Sequence, residues 1–476
     1  MEIVSSIYLL TVIASVFLFY LLNPRYRIIY LVILSCGFIA SYSYALLIYI
    51  LIYSLFNYFL AKGIPGSRYK LLLFRTGIIV NLAQLILLKY SSFAIDPVLK
   101  ILKSNIQFSV LSEVIVPLGI SYFTLQGIGY LINVKMGWEK PEKNFIHFLL
   151  YITFYPKFLS GPVERSNHFL PQLNANGKFS QQQVTEGMKL ILFGVFKKVA
   201  IANQLAPYAL SIYTGDHAGG YISWVIFLIQ PLYLYFDFSG YTDIAIGSAR
   251  MFGINLLPNF NRPFFSENVT IFWKRFHISL ASWFNDYIFR QASFRYRNWG
   301  ILASTYAVFL TWVLFGIWHG AGWNFMLIGL LQSVAINYEF FTKKIRMNLF
   351  SGLPLLIKAW FGRILTYLFY CISMVLFFSP DTRSAFTFML KLNSLSGPSP
   401  FNDLSLKPFA VLVYIPAFLF IELLQNDYSE TYNKLEKVWL SDKWTGRIFR
   451  WTVYSVLITI IYISGLKSQQ FIYADF

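Results

Sequence analysis

The sequence predicts an all-α, polytopic transmembrane helical protein, and three observations carry that prediction. Of 476 residues, 57% are hydrophobic and only 13% charged, with mean hydropathy +0.56, far more apolar surface than a soluble domain can cover. Apolar windows of about 17 to 25 residues, the length that crosses a ~30 Å hydrocarbon core, recur from end to end, roughly ten to twelve in all. The basic residues fall in short loops between those windows, where cytoplasmic anchors belong. Each window reads as a helix, because a lipid-facing backbone must satisfy its own hydrogen bonds; re-entrant or interfacial helices complete the picture.

The first span, about residues 3 to 22, follows Glu2 and has neither a basic residue before it nor a small-residue cleavage site after it. It predicts a retained helix rather than a cleaved signal peptide. Arg25 and Arg27 follow it, and Lys62, Arg68 and Lys70 follow the third span, which puts both loops in the cytoplasm and the N-terminus outside. Lys89, Lys100 and Lys103 break that alternation and predict a re-entrant or interfacial segment. Residues 161 to 182 and 391 to 408 are polar and contain proline, the composition of loops between helix groups. No repeat of fixed period and no inverted symmetry divides the chain, so 1–476 is one integral membrane domain. Cys36 and Cys371 each stand alone in apolar segments and read as packing residues. The net charge of +18 is dispersed over loops, which favours membrane orientation over nucleic-acid binding.

Arg290, Arg295 and Arg297 mark one cytoplasmic loop, and Lys343, Lys344, Arg346, Lys358 and Arg363 another. The chain between them must enter the membrane and return. "LFGIWHGAGWNF", residues 314 to 325, lies at the turning point, and a helix from 300 to 318 rises roughly 27 Å, enough to carry His319 far from those loops.

Ionisable residues at membrane depth are expensive and therefore functional candidates. His319 is flanked by Trp318, Trp323 and Asn324 and followed by Gly320, Ala321 and Gly322, small residues that admit another backbone or an extended substrate, beside rigid apolar walls. His277 lies in "FWKRFHISLASWFNDYIF", 272 to 289, where helical spacing puts Trp273, His277, Leu280 and Phe284 on one face. A packed histidine bonded to a neighbouring helix is the plainer reading of His277. His147, His168 and His217 read as solvated or capping. Asp237 and Asp243, with Tyr241 between them, form a polar island suited to lining a cavity, orienting a histidine, or pairing with Arg250, Lys274 or Arg275. No metal site is expected, since HExxH-type and Cys-rich spacings are missing, and no G-x-S-x-G elbow supports a serine nucleophile.

Three stretches taken together carry a resemblance: "SGPVERSNHFLPQL" (160 to 173), "YFDFSGYTDIAIGSARMFGINLLPNFNRPFFSENVTIFWKRFHISLASWFNDYIF" (235 to 289) and "FLTWVLFGIWHGAGWNFMLIGLLQ" (309 to 332). The chain resembles the membrane-bound O-acyltransferase family, in its bacterial branch of alginate O-acetylase, peptidoglycan O-acetyltransferase and teichoic-acid D-alanyl transfer membrane subunits, with 160–332 as the motif-bearing core. The closing "FIYADF" is similar to that branch's ending, with Ala474 in place of an aromatic residue. The resemblance implies that His319 is the active-site histidine of the W-H-G motif and His277 the second histidine of F-W-x-R-x-H-x-S-L.

It further implies transfer of an acyl group, acetyl first, from a cytoplasmic thioester to a cell-envelope polysaccharide, by a multi-pass protein of the bacterial inner membrane. The donor is acetyl-CoA or a phosphopantetheine thioester on an acyl-carrier protein, with no tightly bound cofactor. A periplasmic or extracellular acyl-transfer protein, encoded nearby, is the expected partner, alongside membrane lipids and no nucleic acid. Imidazole suits the chemistry because its ordinary pKa of roughly 6.5 lets it accept a hydroxyl proton near neutrality. Lys274 and Arg275 are placed to attract the donor's phosphates, or to serve as anchors. D-alanyl transfer to teichoic acid is the near alternative, and a transporter or flippase the alternative from another class.

Overall fold

The computed structural model describes residues 5–90, 93, 119–174, 178–211, 220–393 and 413–465. His217, Lys100, Lys103, most of 391–408 and the closing hexapeptide lie outside them. The first four helices are α1 (Ser6–Leu21), α2 (Pro24–Ala40), α3 (Tyr44–Gly63) and α4 (Lys70–Leu88). Local chemistry sets their starts: Ser5 and Ser43 accept from the backbone at Tyr8 and Leu46, and Asn23 caps α2 with Pro24 at its first position, where proline's missing N–H costs nothing. Next come α5 (Ile120–Met136), α6 (Phe145–Thr153), α7 (Ser166–Leu173) and α8 (Gln181–Phe196). α7 lies inside the stretch expected to be loop.

A π-helical turn, Lys197–Ala202, joins α8 to α9 (Asn203–Ala209), and α10 (Tyr221–Met251) follows as a 31-residue helix. Two short helices, α11 (Val269–Trp273) and α12 (Ile278–Phe284), lead to α13 (Arg290–Arg295) and the long hairpin of α14 (Ile301–His319) and α15 (Trp323–Leu349). The remainder is α16 (Leu355–Phe378), α17 (Thr382–Lys391), α18 (Ile415–Asp427), α19 (Ser429–Leu440) and α20 (Trp444–Ser464). Eight helices in the described residues are long and apolar enough to cross a membrane, with α8 to α9 counted as one. Among the described residues α1 is a shorter apolar helix. The architecture is all-α; the described residues contain only one isolated antiparallel bridge, between Phe260 and Phe276.

α8 and α10 form the most extensive helix pairing of the described residues. Two glycines seven residues apart on each helix make it possible. A Cβ on Gly194 would stand 2.6 Å from the carbonyl oxygen of Gly240, and one on Gly187 2.6 Å from that of Gly247, so the backbones touch where side chains would normally hold them apart. Three ion pairs bind the same seam: Lys197 with Asp243 at 2.7 Å, Lys198 with Asp237, and Arg250 with Glu186 at 3.3 Å. α10 is the most buried of the long helices and forms one wall of the site.

Candidate active site

The α14–α15 hairpin is as the charge pattern predicts, with the basic segments at one end and residues 320–322 turning at the other. Gly316 and Gly329 let the helices meet, since a Cβ on Gly316 would overlap the Phe325 carbonyl and one on Gly329 that of Trp312. α14 ends at His319, where Gly320 goes extended (φ −170°, ψ 162°). The expectation that Gly320 admits a substrate is corrected: the Phe325 ring occupies the space a side chain there would need.

His319 is 8% exposed, and its Nδ1 lies 2.8 Å from the Phe315 carbonyl one turn earlier. A carbonyl can only accept, so Nδ1 carries the hydrogen, and in neutral imidazole the lone pair belongs to Nε2. Helical i, i−4 geometry thus fixes the tautomer without a carboxylate. Trp318 stands perpendicular to the ring at 4.9 Å between centroids, with Phe315 at 4.7 Å and Phe377 at 6.0 Å.

His277 does not lie on one helix with Trp273, Leu280 and Phe284, as its spacing suggests. It sits between α11 and α12 with φ 49° and ψ 46°, a left-handed conformation that costs a non-glycine residue energy and needs support. That support is a short antiparallel pairing: Asn261 N donates to Arg275 O at 2.8 Å and Ile278 N to Asn259 O at 3.0 Å. Asn259 Oδ1 also accepts from Ser279 N and Oγ, at 3.2 and 2.7 Å, while Ser279 Oγ accepts from Val163 N at 2.9 Å. Residues from "SGPVERS", "NFNRPF" and "RFHIS" are thereby tied at one point. The His277 ring is fully buried, edge-on to Phe238 of α10 at 4.7 Å.

The two imidazoles are 6.4 Å apart at their centroids and nearly perpendicular, too far for a direct bond between nitrogens and near enough to share one small group. Both line a narrow cavity walled by Trp273, Phe315, Tyr370 and Phe377. Its polar edge is a relay: Trp273 Nε1 donates to Gln332 Oε1 at 2.9 Å, and Gln332 Nε2 to Ser373 Oγ at 2.8 Å. The free space is about 20 Å³, room for roughly one water-sized group.

The structure therefore brings together His319, His277, Trp273 and Trp318. Others from the expected set are placed elsewhere. Asp237 and Asp243 pair with Lys198 and Lys197 on the α8 side, not with Arg250, Lys274 or Arg275. Tyr241 is buried on α10 outside the residues lining the cavity. Asn324 ties α15 to the end of α16, donating to Leu376 O and Ser379 O at 3.1 Å each. Trp323 is 64% exposed, Lys274 is exposed, and Arg275 donates to Asn426 Oδ1 at 3.0 Å. His168 is partly exposed and caps no helix end; its Nδ1 bonds the Glu164 carboxylate at 2.9 Å, which holds its pKa above the ordinary imidazole value. Sequence reasoning missed Gln332 and Ser373, whose only signal was two polar residues within apolar runs. Within the described residues no group of three or more His, Cys, Asp or Glu is placed to hold a metal ion.

The profile of the membrane-bound O-acyltransferase family matches residues 142–380. A probable alginate O-acetylase AlgI of Pseudomonas aeruginosa is 34% identical over 321 residues, 66% of this chain and 60% of that protein. A peptidoglycan O-acetyltransferase of Helicobacter pylori is 30% identical over 416 residues, 80% of this chain and 76% of that protein. A teichoic acid D-alanyltransferase of Bacillus subtilis is 30% identical over 237 residues, 48% of this chain. The chain spans 60 to 65% of the length of the alginate O-acetylases it matches. The family match encloses both histidines, the α14–α15 turn and the Asn259–Ser279 tie, and the chain belongs to the membrane-bound O-acyltransferase family.

Proposed function

We propose that the chain is an O-acetyltransferase that passes acetyl from a cytoplasmic thioester toward a hydroxyl of a cell-envelope polysaccharide, with His319 as general base. The observation that carries the proposal is the His319–Phe315 bond, which leaves Nε2 as the proton acceptor, 6.4 Å between centroids from a second buried imidazole. Nε2 takes the acceptor's hydroxyl proton as oxygen attacks the thioester carbonyl. The tetrahedral intermediate then expels the thiolate, which leaves with the proton from the imidazolium. General-base action contributes about 10²- to 10⁴-fold; the closed aromatic walls supply positioning and exclude water. His277 either orients the reacting groups or carries a second proton.

Acetyl is favoured over D-alanyl by the extent of similarity, since the acetyltransferase relatives match 66 to 80% of this chain and the D-alanyltransferase 48%. The donor is acetyl-CoA or a phosphopantetheine thioester on a carrier protein, with Arg275 and exposed Lys274 beside the His277 segment as attractors of its phosphates. The acceptor is reached through a separate periplasmic or extracellular acyl-transfer protein, and the chain resides in the bacterial inner membrane. The test reconstitutes the chain in sealed vesicles with radiolabelled acetyl-CoA on one side and the candidate partner on the other. Label on the partner or polysaccharide supports the reading. Label arriving as unaltered donor, with no acetyl ester formed, supports a transporter instead.

A further inference from the structure

Lys89 breaks the sequence's charge alternation, and the fold gives it a place. It directly follows α4, whose end meets the end of α14. There Lys89 Nζ donates to the Trp318 carbonyl at 2.8 Å and to Ser121 Oγ at 3.0 Å, and stands 5.5 Å from the Trp318 ring centroid. The next residue does the same with a neutral donor: Tyr90 OH donates to the Ile317 carbonyl at 2.8 Å.

The last carbonyls of a helix have no partners within it, and the helix dipole places partial negative charge at that end, where a cation is stabilising. Here those carbonyls belong to the two residues before His319. From the backbone of this turn, Gly320 N donates to Ile317 O at 3.2 Å. An unheld last turn frays readily, and fraying breaks the His319–Phe315 bond that fixes the tautomer. Trp318, gripped by Lys89 on one side, is edge-on to Tyr122 at 5.5 Å and in ring contact with both histidines.

We infer that Lys89, assisted by Tyr90, is a positioning residue for the acyl-transfer reaction, clamping the C-terminal turn of α14 so that His319 is held with Nδ1 on Phe315 O and Nε2 turned to the reacting group. The inference rests on the proposed role of His319, and its test has one arm that does not depend on that role. In the full-length protein in nanodiscs, Lys89→Met, Lys89→Arg and Tyr90→Phe are compared with wild type. The first arm is ¹⁵N NMR of labelled histidine, with His319 identified by its loss in His319→Gln. Wild type shows one tautomer with hydrogen on Nδ1; Lys89→Met shows a mixture, and Lys89→Arg restores the single form. The second arm is transfer kinetics: Lys89→Met lowers kcat at least about tenfold, in line with the cost of small misplacements, while donor KM stays within about twofold. Tyr90→Phe moves kcat the same way by less and keeps the assay informative if Lys89→Met fails to fold. A single Nδ1–H tautomer and near-wild-type kcat in Lys89→Met would overturn the clamp. A tautomer mixture in Lys89→Met, alongside a wild-type protein that transfers no acyl group, would leave the clamp standing and sink the acyltransferase reading.

Discussion

At the scale of single residues, the site is a set of aromatic side chains held in place by a few polar ones. Trp273 and Gln332 show how this works: the indole N–H has its partner in the Gln332 amide, and that amide donates in turn to Ser373. Gln332→Leu leaves Trp273 Nε1 buried without its acceptor, at a cost of about 1–3 kcal/mol. Thermal melts of the detergent-solubilised protein should show a lower Tm for Gln332→Leu. Trp273→Phe added to it should cost less than it does alone, because the bond is already gone. Equal and additive losses would show that the relay does not hold the indole. The place of His319 at a turn was legible in the sequence because two basic loops, one on either side of it in the chain, mark the other end of the hairpin. Its tautomer was not, since it depends on a carbonyl oxygen four residues away. The backbone at His277 was also hidden: nothing in "RFHIS" signals a positive φ, which is imposed by Asn259 and Asn261 in a separate segment.

At the scale of helices, the α8–α10 seam carries the most specific packing. Gly194→Val would drive a branched side chain into the Gly240 carbonyl and separate the two ion pairs beyond it. Overpacking of this kind costs about 1–3 kcal/mol or more; membrane-inserted protein recovered after solubilisation should fall several-fold, while Gly37→Ala, which meets nothing within 4 Å, should leave recovery unchanged. The Asp237 and Asp243 partners were not readable in advance because Lys197 and Lys198 lie about forty residues earlier and face α10 from a π-helical turn.

The turn into α7 makes a pH prediction. Glu164 raises His168 above the usual imidazole value, so the pair's stabilisation is complete below about 6.5 and is lost as pH rises through the raised value. His168 is 38% exposed at its side chain, which keeps the effect small. The Tm difference between wild type and His168→Gln should therefore be largest near pH 6 and shrink toward pH 8.5; a difference that grows with pH would reverse the assignment.

At the scale of the molecule, the described residues include eight long apolar helices, both imidazoles are enclosed by ring contacts, and the α14 turn places His319 at the opposite end of its helix from Arg290, Arg295 and Arg297. Composition and the recurring apolar windows predicted the all-α membrane architecture, and the two basic loops predicted the α14–α15 hairpin. The approach of α4 to α14, which brings Lys89 to His319, is a tertiary contact with no local signature. The arrangement makes sense if reaction takes place inside the membrane, with donor and acceptor meeting at one buried base. The measurement that tests this most directly is base-labile acetate on the cell-surface polysaccharide, in a strain lacking other acetylases and supplied with the neighbouring partner genes, for wild type and His319→Gln at equal membrane abundance. Loss of about 10²-fold or more with the variant is the predicted result. Acetate at the wild-type level with His319→Gln would contradict it and leave His319 a packing residue.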